Sequence, residues 1–528
     1  MPVRRVFLGW DQPLCQTVPA HLLAGAGPGL QDWRDRVVVL PTRQSSWHLR
    51  SALPLAAAEC GAALLGPEMV TPAVLLAPPP GVRIASGLQC LRAWAAVLAA
   101  APAATLSVCL GRERGSGGAW ALSTGRRLQT LRQELADGGL DLAAVAARGD
   151  DIEEAERWQA LAELEGLFLE HLQAMGLQDA CTARIAMAHA GDLPESLRHV
   201  VLAAVPDPPR LFITLLERWA ERGGRVDVLI AAPAADAAAF DDWGRPRPPD
   251  WHPRRIDLDD DQIGLEAKPE DQAARLAEAI REAWKAGRTP QRLRLAIGVP
   301  DRETVAPLQR HLASLGLPAF DPQNRRFTET PLCGLVEALL ALRRNPGYNE
   351  AAALLRHPHV LPAGKAGAAV LRELDALQPM ALPVTLGDLR DALSRPRRGT
   401  DSPAAAWPHL RAALDRLEHW RRILERGLAA GLREALQDVY AERRLDPGCA
   451  ADAAFQESAE ALDGVLRELE AAGPGGAATV DDAEVLAARL RDALIPSVRR
   501  GEVVDLEGWL ELPWNPAPVL MVAGLNEG

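Results

Sequence analysis

The sequence predicts an α/β fold in which parallel sheets are covered by helices. Short, continuous apolar runs suit strands that are buried on both faces, as the strands of a parallel sheet are. Amphipathic helical patterns follow these runs, which is the alternation typical of doubly wound sheets. Two long stretches rich in alanine and leucine show little strand pattern. The apolar runs, in chain order, read RVFLG, RVVVLPTR, HVVLAAVPD, RVDVLIAAP, LRLAIGVPD and PVLMVAGLNEG.

The first run leads into a loop and a helical pattern, the chain path of a phosphate-binding loop, G-x-x-x-x-G-K-[ST]. In such a loop glycines let amides surround the phosphates, the lysine neutralises their charge and the hydroxyl ligates magnesium. Counting from Gly9, the last three positions hold Leu14, Cys15 and Gln16, and Thr17 comes one residue late. We therefore interpret the segment as a degenerate phosphate loop and predict no cofactor bound to it.

The second, third and fifth runs each lead into a helical pattern. Thr42, Arg43 and Gln44 follow the second run, at a strand end where α/β proteins place ligands. Asp301 follows the fifth run and is predicted to initiate a helix, with Arg302 beside it. The apolar helix faces after the third and fifth runs are formed by Leu211, Leu215, Leu216 and Trp219, and by Val305, Leu308, Leu312 and Leu315.

A chain of 528 residues is longer than one hydrophobic core usually organises. Proline and charge concentrate in GRPRPPDWHPRRIDLDDDQ, which predicts a domain boundary there. We predict one domain over 1–262 and a second over 263–528, each a sheet with a helical insertion. The sheet cores are expected at 1–84 with 191–262 and at 263–345 with 501–528, and the insertions at 85–190 and 346–500.

Charge, cysteine spacing and hydropathy exclude several classes of protein. The net charge of −12 leaves no global basic field, so any DNA contact would depend on local arginine clusters. The seven cysteines are scattered singly, which indicates neither a disulfide framework nor a zinc site and fits a cytoplasmic location. No apolar run is long enough to span a bilayer, so no membrane contact is predicted.

Two sheet domains with helical insertions resemble the layout of UvrD-like superfamily 1 helicases, which have two RecA-like domains. VVVLPTRQSSWHLRSAL resembles the second conserved strand, loop and helix of AddB-like helicase-nuclease subunits. LRLAIGVPDRETVAPLQRHLASLGLPAF resembles the opening of their second motor domain, and ETPLCGLVEALLAL and LLRHPHV resemble the helices that follow. VLMVAGLNEG resembles a late strand end of the same family.

The chain departs from an active motor of this family at the positions that carry the chemistry. Where a motor has its acidic magnesium-binding and water-positioning pair, this chain has Ala203, Ala204 and Val205, and Asp207 stands isolated among prolines. Phosphoryl transfer depends on positioned charges and metal. The resemblance therefore implies a helicase fold that handles DNA without hydrolysing ATP, beside an AddA-like helicase-nuclease motor subunit.

The resemblance also implies a PD-(D/E)XK nuclease domain. We expect it beyond residue 528, with Mg²⁺ and, as is common in the family, a 4Fe-4S cluster. The present chain would then be a truncated part of a longer nuclease-family protein. No catalytic residue is predicted within it.

DNA-binding candidates follow from the resemblance. In the family the loop at Thr42, Arg43 and Gln44 faces single-stranded DNA, where Arg43 would pair with a phosphate. The alternative is an arginine that caps a surface loop. Further candidates are two arginine pairs and the family-like motif at the end of the chain, although such arginines are often merely solvated. These residues are Arg397, Arg398, Arg499, Arg500, Asn526 and Glu527.

His357 and His359 have a spacing that could serve a metal on a strand, but no third ligand lies nearby in the sequence. A structural role is the favoured interpretation, and no metal site is predicted.

Three functions remain open. The first is a DNA-binding, catalytically inactive, helicase-like part of a helicase-nuclease protein acting in double-strand-break repair and recombination. The second is an active ATP-dependent DNA helicase with an atypical phosphate loop, and the third is a non-catalytic scaffold for a motor partner.

Overall fold

A computed structural model describes residues 3–78, 81–111, 115, 117–255, 258–285, 295–395, 407–446, 448–473 and 480–526. Its main sheets are parallel and are covered by helices, which confirms the predicted α/β class.

The strands were expected from the apolar runs, and short ones occur between them. They are β1 (Val3–Phe7), β2 (Gly29–Asp32), β3 (Arg36–Val39), β4 (Ala62–Leu65), β5 (Glu68–Val70), β6 (His199–Ala203), β7 (Arg225–Ile230), β8 (Leu295–Gly298), β9 (Ala319–Phe320), β10 (Arg325–Arg326), β11 (Leu494–Ile495), β12 (Val504–Glu507) and β13 (Val519–Val522).

The helices fill the segments between the strands and both alanine-rich stretches. They are α1 (Leu14–Leu23), α2 (Arg43–Glu59), α3 (Pro72–Leu75), α4 (Gly87–Ala100), α5 (Ala103–Leu110), α6 (Gly118–Asp137), α7 (Leu142–Ala146), α8 (Ala155–Ala174), α9 (Ala180–Ala190), α10 (Arg210–Glu221), α11 (Pro248–Trp251), α12 (Pro269–Lys285), α13 (Val305–Ser314), α14 (Pro331–Arg344), α15 (Tyr348–Arg356), α16 (Lys365–Ala381), α17 (Leu386–Ser394), α18 (Pro408–Arg426), α19 (Leu428–Val439), α20 (Ala450–Ala471) and α21 (Asp482–Arg491).

The first sheet has the strand order β1-β7-β6-β3-β5, and every pair in it is parallel. Successive strand residues point to opposite faces. In β3, Val38 therefore packs against α1 and α2, while Val37 and Val39 pack against α10 on the other face. The continuous apolar runs form strands buried on both faces, as predicted. Because all the strands are parallel, their carboxyl ends lie along one edge.

The second sheet has the order β13-β8-β12-β9 and is also parallel. Ile297 of β8 and Leu506 of β12 share a buried cluster with α12 and α13. The short 3₁₀ turn Leu512–Trp514 follows β12, and Trp514 is buried among the residues of α1 and α2. This turn therefore joins the cores of the two sheets.

The two alanine-rich stretches pack against each other. Helices α4 to α8 and α14 to α21, here called the helical body, share one large cluster of buried apolar residues. Within it Trp94 stacks on Phe168 with ring centroids 4.3 Å apart. Arg92 of α4 donates to Asp482 of α21 at 2.6 Å, across 390 positions of sequence. Nothing in the sequence predicts this contact between the two insertions.

Asp227 lies at the amino-terminal side of the first sheet, where three cationic or neutral donors converge on its buried carboxylate. Arg4, its register neighbour in β1, donates twice, at 3.1 and 3.0 Å. Arg225 donates at 2.8 Å and His199 Nε2 lies 3.0 Å away. Burial raises the pKa of Asp227, but the hydrogen bonds from His199, Arg225 and Arg4 outweigh it and hold that pKa well below its usual range.

A second buried ionic group lies inside the helical body. Arg132 donates to Glu165 at 2.6 Å and to Asp179 at 2.9 Å, and all three side chains are almost fully buried. Glu165 also accepts from the amide of Leu142 at 2.9 Å, and Asp179 accepts from that of Thr182 at 2.9 Å. The group thus ties the starts of α7 and α9 to α6.

Candidate nucleic-acid interface

The degenerate phosphate loop connects β1 to α1 without a cation at the phosphate position. Leu14 and Cys15 are 3% and 5% exposed because α1 begins at Leu14 and turns both side chains into the core. Gln16 is exposed. A buried leucine and a buried cysteine cannot supply the lysine charge that phosphate requires. The loop therefore has the chain path of a phosphate loop with a buried side chain at two of its three characteristic positions.

The acidic positions expected of a motor are also apolar here. Ala203 is buried at the end of β6, and Ala204 after it has a φ of 49°, an uncommon conformation for a residue with a Cβ. Neither side chain can hold a magnesium ion or orient a water.

The start of α2 carries the predicted Thr42, Arg43 and Gln44. Thr42 is the N-cap, and its hydroxyl accepts from the amide of Ser45 at 3.1 Å. Arg43 is exposed and makes no ion pair among the described residues. Gln44 is 8% exposed, and its Nε2 has no hydrogen-bond partner in the described part of the chain. An unpaired guanidinium thus lies at the amino end of a long helix, where the helix dipole favours anions.

The carboxyl end of β12 meets this first turn of α2. The hydroxyl of Ser45 donates to the carbonyl oxygen of Leu510 at 3.4 Å. One turn further along α2, Nε2 of His48 lies 2.7 Å from Oε1 of Glu507, and the two residues are 6% and 0% exposed. Trp509, between these two contact points in sequence, is exposed. The chain at the end of β12 therefore packs directly on the first two turns of α2, a contact here called the inter-sheet contact.

Arg499 and Arg500 already have partners within the protein. Arg499 donates to Asp505 at 3.0 Å, and its guanidinium carbon lies 5.0 Å from the ring centroid of Trp47 in α2. Arg500 donates to Glu457 at 2.9 Å. These contacts join α2 and α20 to the segment before β12, so the pair is not the free cationic cluster that the sequence suggests.

Asn526 also makes contacts within the protein. Its Nδ2 donates to Asp301 at 2.7 Å, and its Oδ1 accepts from Gln272 at 3.1 Å. Asp301 in turn accepts from the amide of Glu303 at 2.9 Å, which confirms its predicted role in helix initiation. Arg302 pairs with Asp321, with one contact at 3.0 Å. Arg397, Arg398 and Glu527 lie outside the described residues.

His357 and His359 are engaged as structural residues. Nε2 of His357 lies 3.2 Å from the carbonyl oxygen of Pro331 and so carries the proton, while Nδ1 accepts from the amide of His359 at 3.3 Å. Nδ1 of His359 lies 2.7 Å from the hydroxyl of Tyr440. Burial lowers the pKa of both histidines. Among the described residues, no three His, Cys, Asp or Glu side chains come together as a metal site.

Four of the described cysteines, Cys90, Cys109, Cys181 and Cys333, are buried free thiols. Burial raises the pKa of Cys90 to about 12 and those of Cys109, Cys181 and Cys333 to about 11, so these thiols stay protonated at neutral pH.

Sequence reasoning missed four residues at the carboxyl edges of the sheets. His48, Glu507 and Trp509 belong to the inter-sheet contact, and Trp10 is exposed after β1. Glu507 gives no local signal of burial, because the two acidic residues of VVDLE interrupt the apolar pattern of the strand. His48, Trp509 and Trp10 carry no local signal either, because packing of α2 against the end of β12 pairs His48 with Glu507, and the chain after β7 holds Trp10.

No protein-family model matches the chain, and none of the curated proteins does. Among the described residues, no single helix has both the length and the apolar character of a membrane span.

Proposed function

We propose that this chain is a DNA-binding, catalytically silent, helicase-like module. In this proposal it consists of two RecA-like domains with helical insertions and belongs to a PD-(D/E)XK helicase-nuclease protein of double-strand-break repair. An AddA-like subunit would be the motor, and Mg²⁺ would act in the nuclease domain of the parent protein.

The observation that carries the proposal is the unpaired, exposed Arg43 at the start of α2, on the carboxyl edge of the first sheet. Ligands of open α/β sheets bind at this edge. The amides of Arg43 and Gln44 precede the first intrahelical donor of α2, so neither has a partner within the helix backbone. One phosphate held by Arg43 and these amides is the expected contact.

An ATP-driven helicase has less support. The burial of Leu14 and Cys15 leaves no cation for a triphosphate, and alanines occupy the acidic positions after β6. A scaffold that binds only a motor partner would not need an unpaired arginine at a strand end.

The test is the affinity of the chain for a fluorescein-labelled oligothymidylate, measured by anisotropy at several salt concentrations with and without ATP. We expect salt-sensitive binding that ATP does not change. Arg43→Ala should weaken it and reduce the slope of log K against log[salt] by about 0.7, the contribution of one phosphate contact on a single strand.

Arg372→Ala is the matched control, since Arg372 is an exposed arginine of α16 that makes no ion pair among the described residues. It should leave affinity and slope unchanged. No binding at low salt would overturn the proposal in favour of the scaffold, and DNA-stimulated ATP hydrolysis would overturn it in favour of the active helicase.

A further inference from the structure

Trp10 lies in the degenerate phosphate loop, and its ring is exposed to solvent. Its side chain is 57% exposed, yet its indole Nε1 donates to the carbonyl oxygen of Ala231 at 2.6 Å. The residue before it, Gly9, has a φ of 78° and donates its amide to Ala232 at 3.0 Å. Both contacts fix the loop to the end of β7, so the ring has one orientation rather than many.

A second indole supports the first. The ring centroid of Trp251 lies 6.5 Å from that of Trp10, and its own Nε1 donates to the carbonyl oxygen of Ala239 at 3.1 Å. The guanidinium carbon of Arg254 lies 3.9 Å from the Trp251 ring centroid. Trp10, Trp251 and Arg254 form what we call the indole platform. Trp10 is its exposed member.

The charged residues around the indole platform do not form a binding site for a phosphate. Arg254 is paired with Asp236 at 3.0 Å, and Arg245 with Asp241 at 2.7 Å. In the segments 9–11 and 236–255, the exposed charged residues that make no ion pair among the described residues are Arg247, Arg255, Asp11, Asp242 and Asp250. Two cations against three anions give no attraction for a phosphate. The flat face of the Trp10 ring is therefore the feature that a ligand would recognise, and its complement is a planar ring.

The platform lies on the same edge of the sheet as Arg43. In the order β1-β7-β6-β3 the carboxyl ends of β1 and β3 are three strand spacings apart, or about 14 Å. A single strand whose phosphate is held at Arg43 can extend an unpaired base to Trp10. A base inside a duplex cannot, because both its faces are covered by neighbouring base pairs.

We propose that Trp10 stacks on an unpaired nucleobase and so makes the module prefer single-stranded to duplex DNA. This inference rests on the proposed function. In a motor this loop binds a nucleoside triphosphate. Here it would contact a base of the bound DNA strand instead.

The experiment compares the binding of two fluorescein-labelled strands, an oligothymidylate and an abasic strand with the same number of phosphates. Stacking on an aromatic ring contributes about 1–3 kcal/mol per base, or about five- to 150-fold in affinity. Trp10→Ala should weaken oligothymidylate binding by about tenfold while leaving the abasic strand and the salt slope unchanged. Trp10→Phe keeps an aromatic face and should restore most of the lost affinity.

The outcomes separate this inference from the function on which it rests. If Trp10→Ala binds oligothymidylate as the unchanged protein does, while Arg43→Ala still flattens the salt slope, base stacking is overturned and the proposed function stands. Equal weakening of both strands by Trp10→Ala would also overturn stacking, because it would indicate a distorted loop. If the unchanged protein binds neither strand, both proposals fail.

Discussion

His48 of helix α2 and Glu507 at the end of strand β12 form a buried pair, with Nε2 and Oε1 2.7 Å apart. The second carboxylate oxygen of Glu507 has no hydrogen-bond partner among the described residues. His48 is therefore the side chain that compensates a carboxylate withdrawn from water.

Replacing His48 with alanine should destabilise the protein strongly. The change leaves Glu507 buried without a partner, and breaking such a pair typically costs about 3–5 kcal/mol. Urea unfolding followed by circular dichroism measures the loss. His311→Ala is the control, because His311 pairs with Glu270 at 2.9 Å at a more exposed position and should cost at most about 1 kcal/mol. Equal losses in the two variants would contradict the role assigned to the buried pair.

Arg132→Met should also destabilise the protein, through the helical body. The methionine fills similar space but leaves the carboxylates of Glu165 and Asp179 buried without their shared cation, at a cost of about 3 kcal/mol or more. The same unfolding measurement applies. Arg127 lies on the exposed side of the same helix, and Arg127→Ala should stay within about 0.5 kcal/mol of the parent. If Arg132→Met has the same unfolding free energy as the parent, the ionic group contributes nothing to folding.

The carboxylate of Asp227 should give the protein an acid-labile share of its stability. Because the folded-state pKa of Asp227 is depressed, its contribution is fully present above the unfolded pKa, near 4, and is lost as the pH falls further. Asp227→Asn lacks this contribution. The difference in unfolding free energy between parent and variant should therefore shrink as the pH is lowered below about 4. A difference that stays constant through this range would show that the depressed pKa has no effect on stability.

Gly9→Ala should disturb both stability and DNA binding. The φ of 78° at Gly9 is one that alanine adopts at a cost of about 1 kcal/mol, and relief of that strain would move Trp10. We expect a small loss of stability together with weaker binding of oligothymidylate. Gly27→Ala is the control, since Gly27 has an ordinary φ and open space around its Cα. Unchanged oligothymidylate binding by a destabilised Gly9→Ala would indicate that the ring position does not matter.

The parts of the fold that sequence could predict are those with a strong local pattern. The runs of β3 and β6 are apolar on both faces and form strands between helical layers, as expected. The sequence pattern does not predict strand β12, because Asp505 and Glu507 interrupt its apolar character. A carboxylate in a strand core becomes tolerable only when His48, 459 positions away, lies opposite it.

The candidate site was predictable only in part, for the same physical reason. Arg43 could be found because it follows a strand end, a relation contained within a few residues. Arg499 and Arg500 could not be judged, because whether an arginine is free depends on carboxylates that the fold brings to it. The exposure of Trp10 depends on Ala231, at the far end of a strand formed more than 200 residues later.

The shared core of the helical body also bears on how the chain folds as it is synthesised. Roughly 300 residues separate the end of α8 from the start of α21. At a synthesis rate of about 5–20 residues per second, the apolar faces of the first helices would remain exposed for on the order of 15–60 s before α21 is made. We therefore expect chaperones to protect the nascent chain during that interval. Incomplete chains that leave the ribosome before α21 is synthesised should aggregate more readily than complete chains.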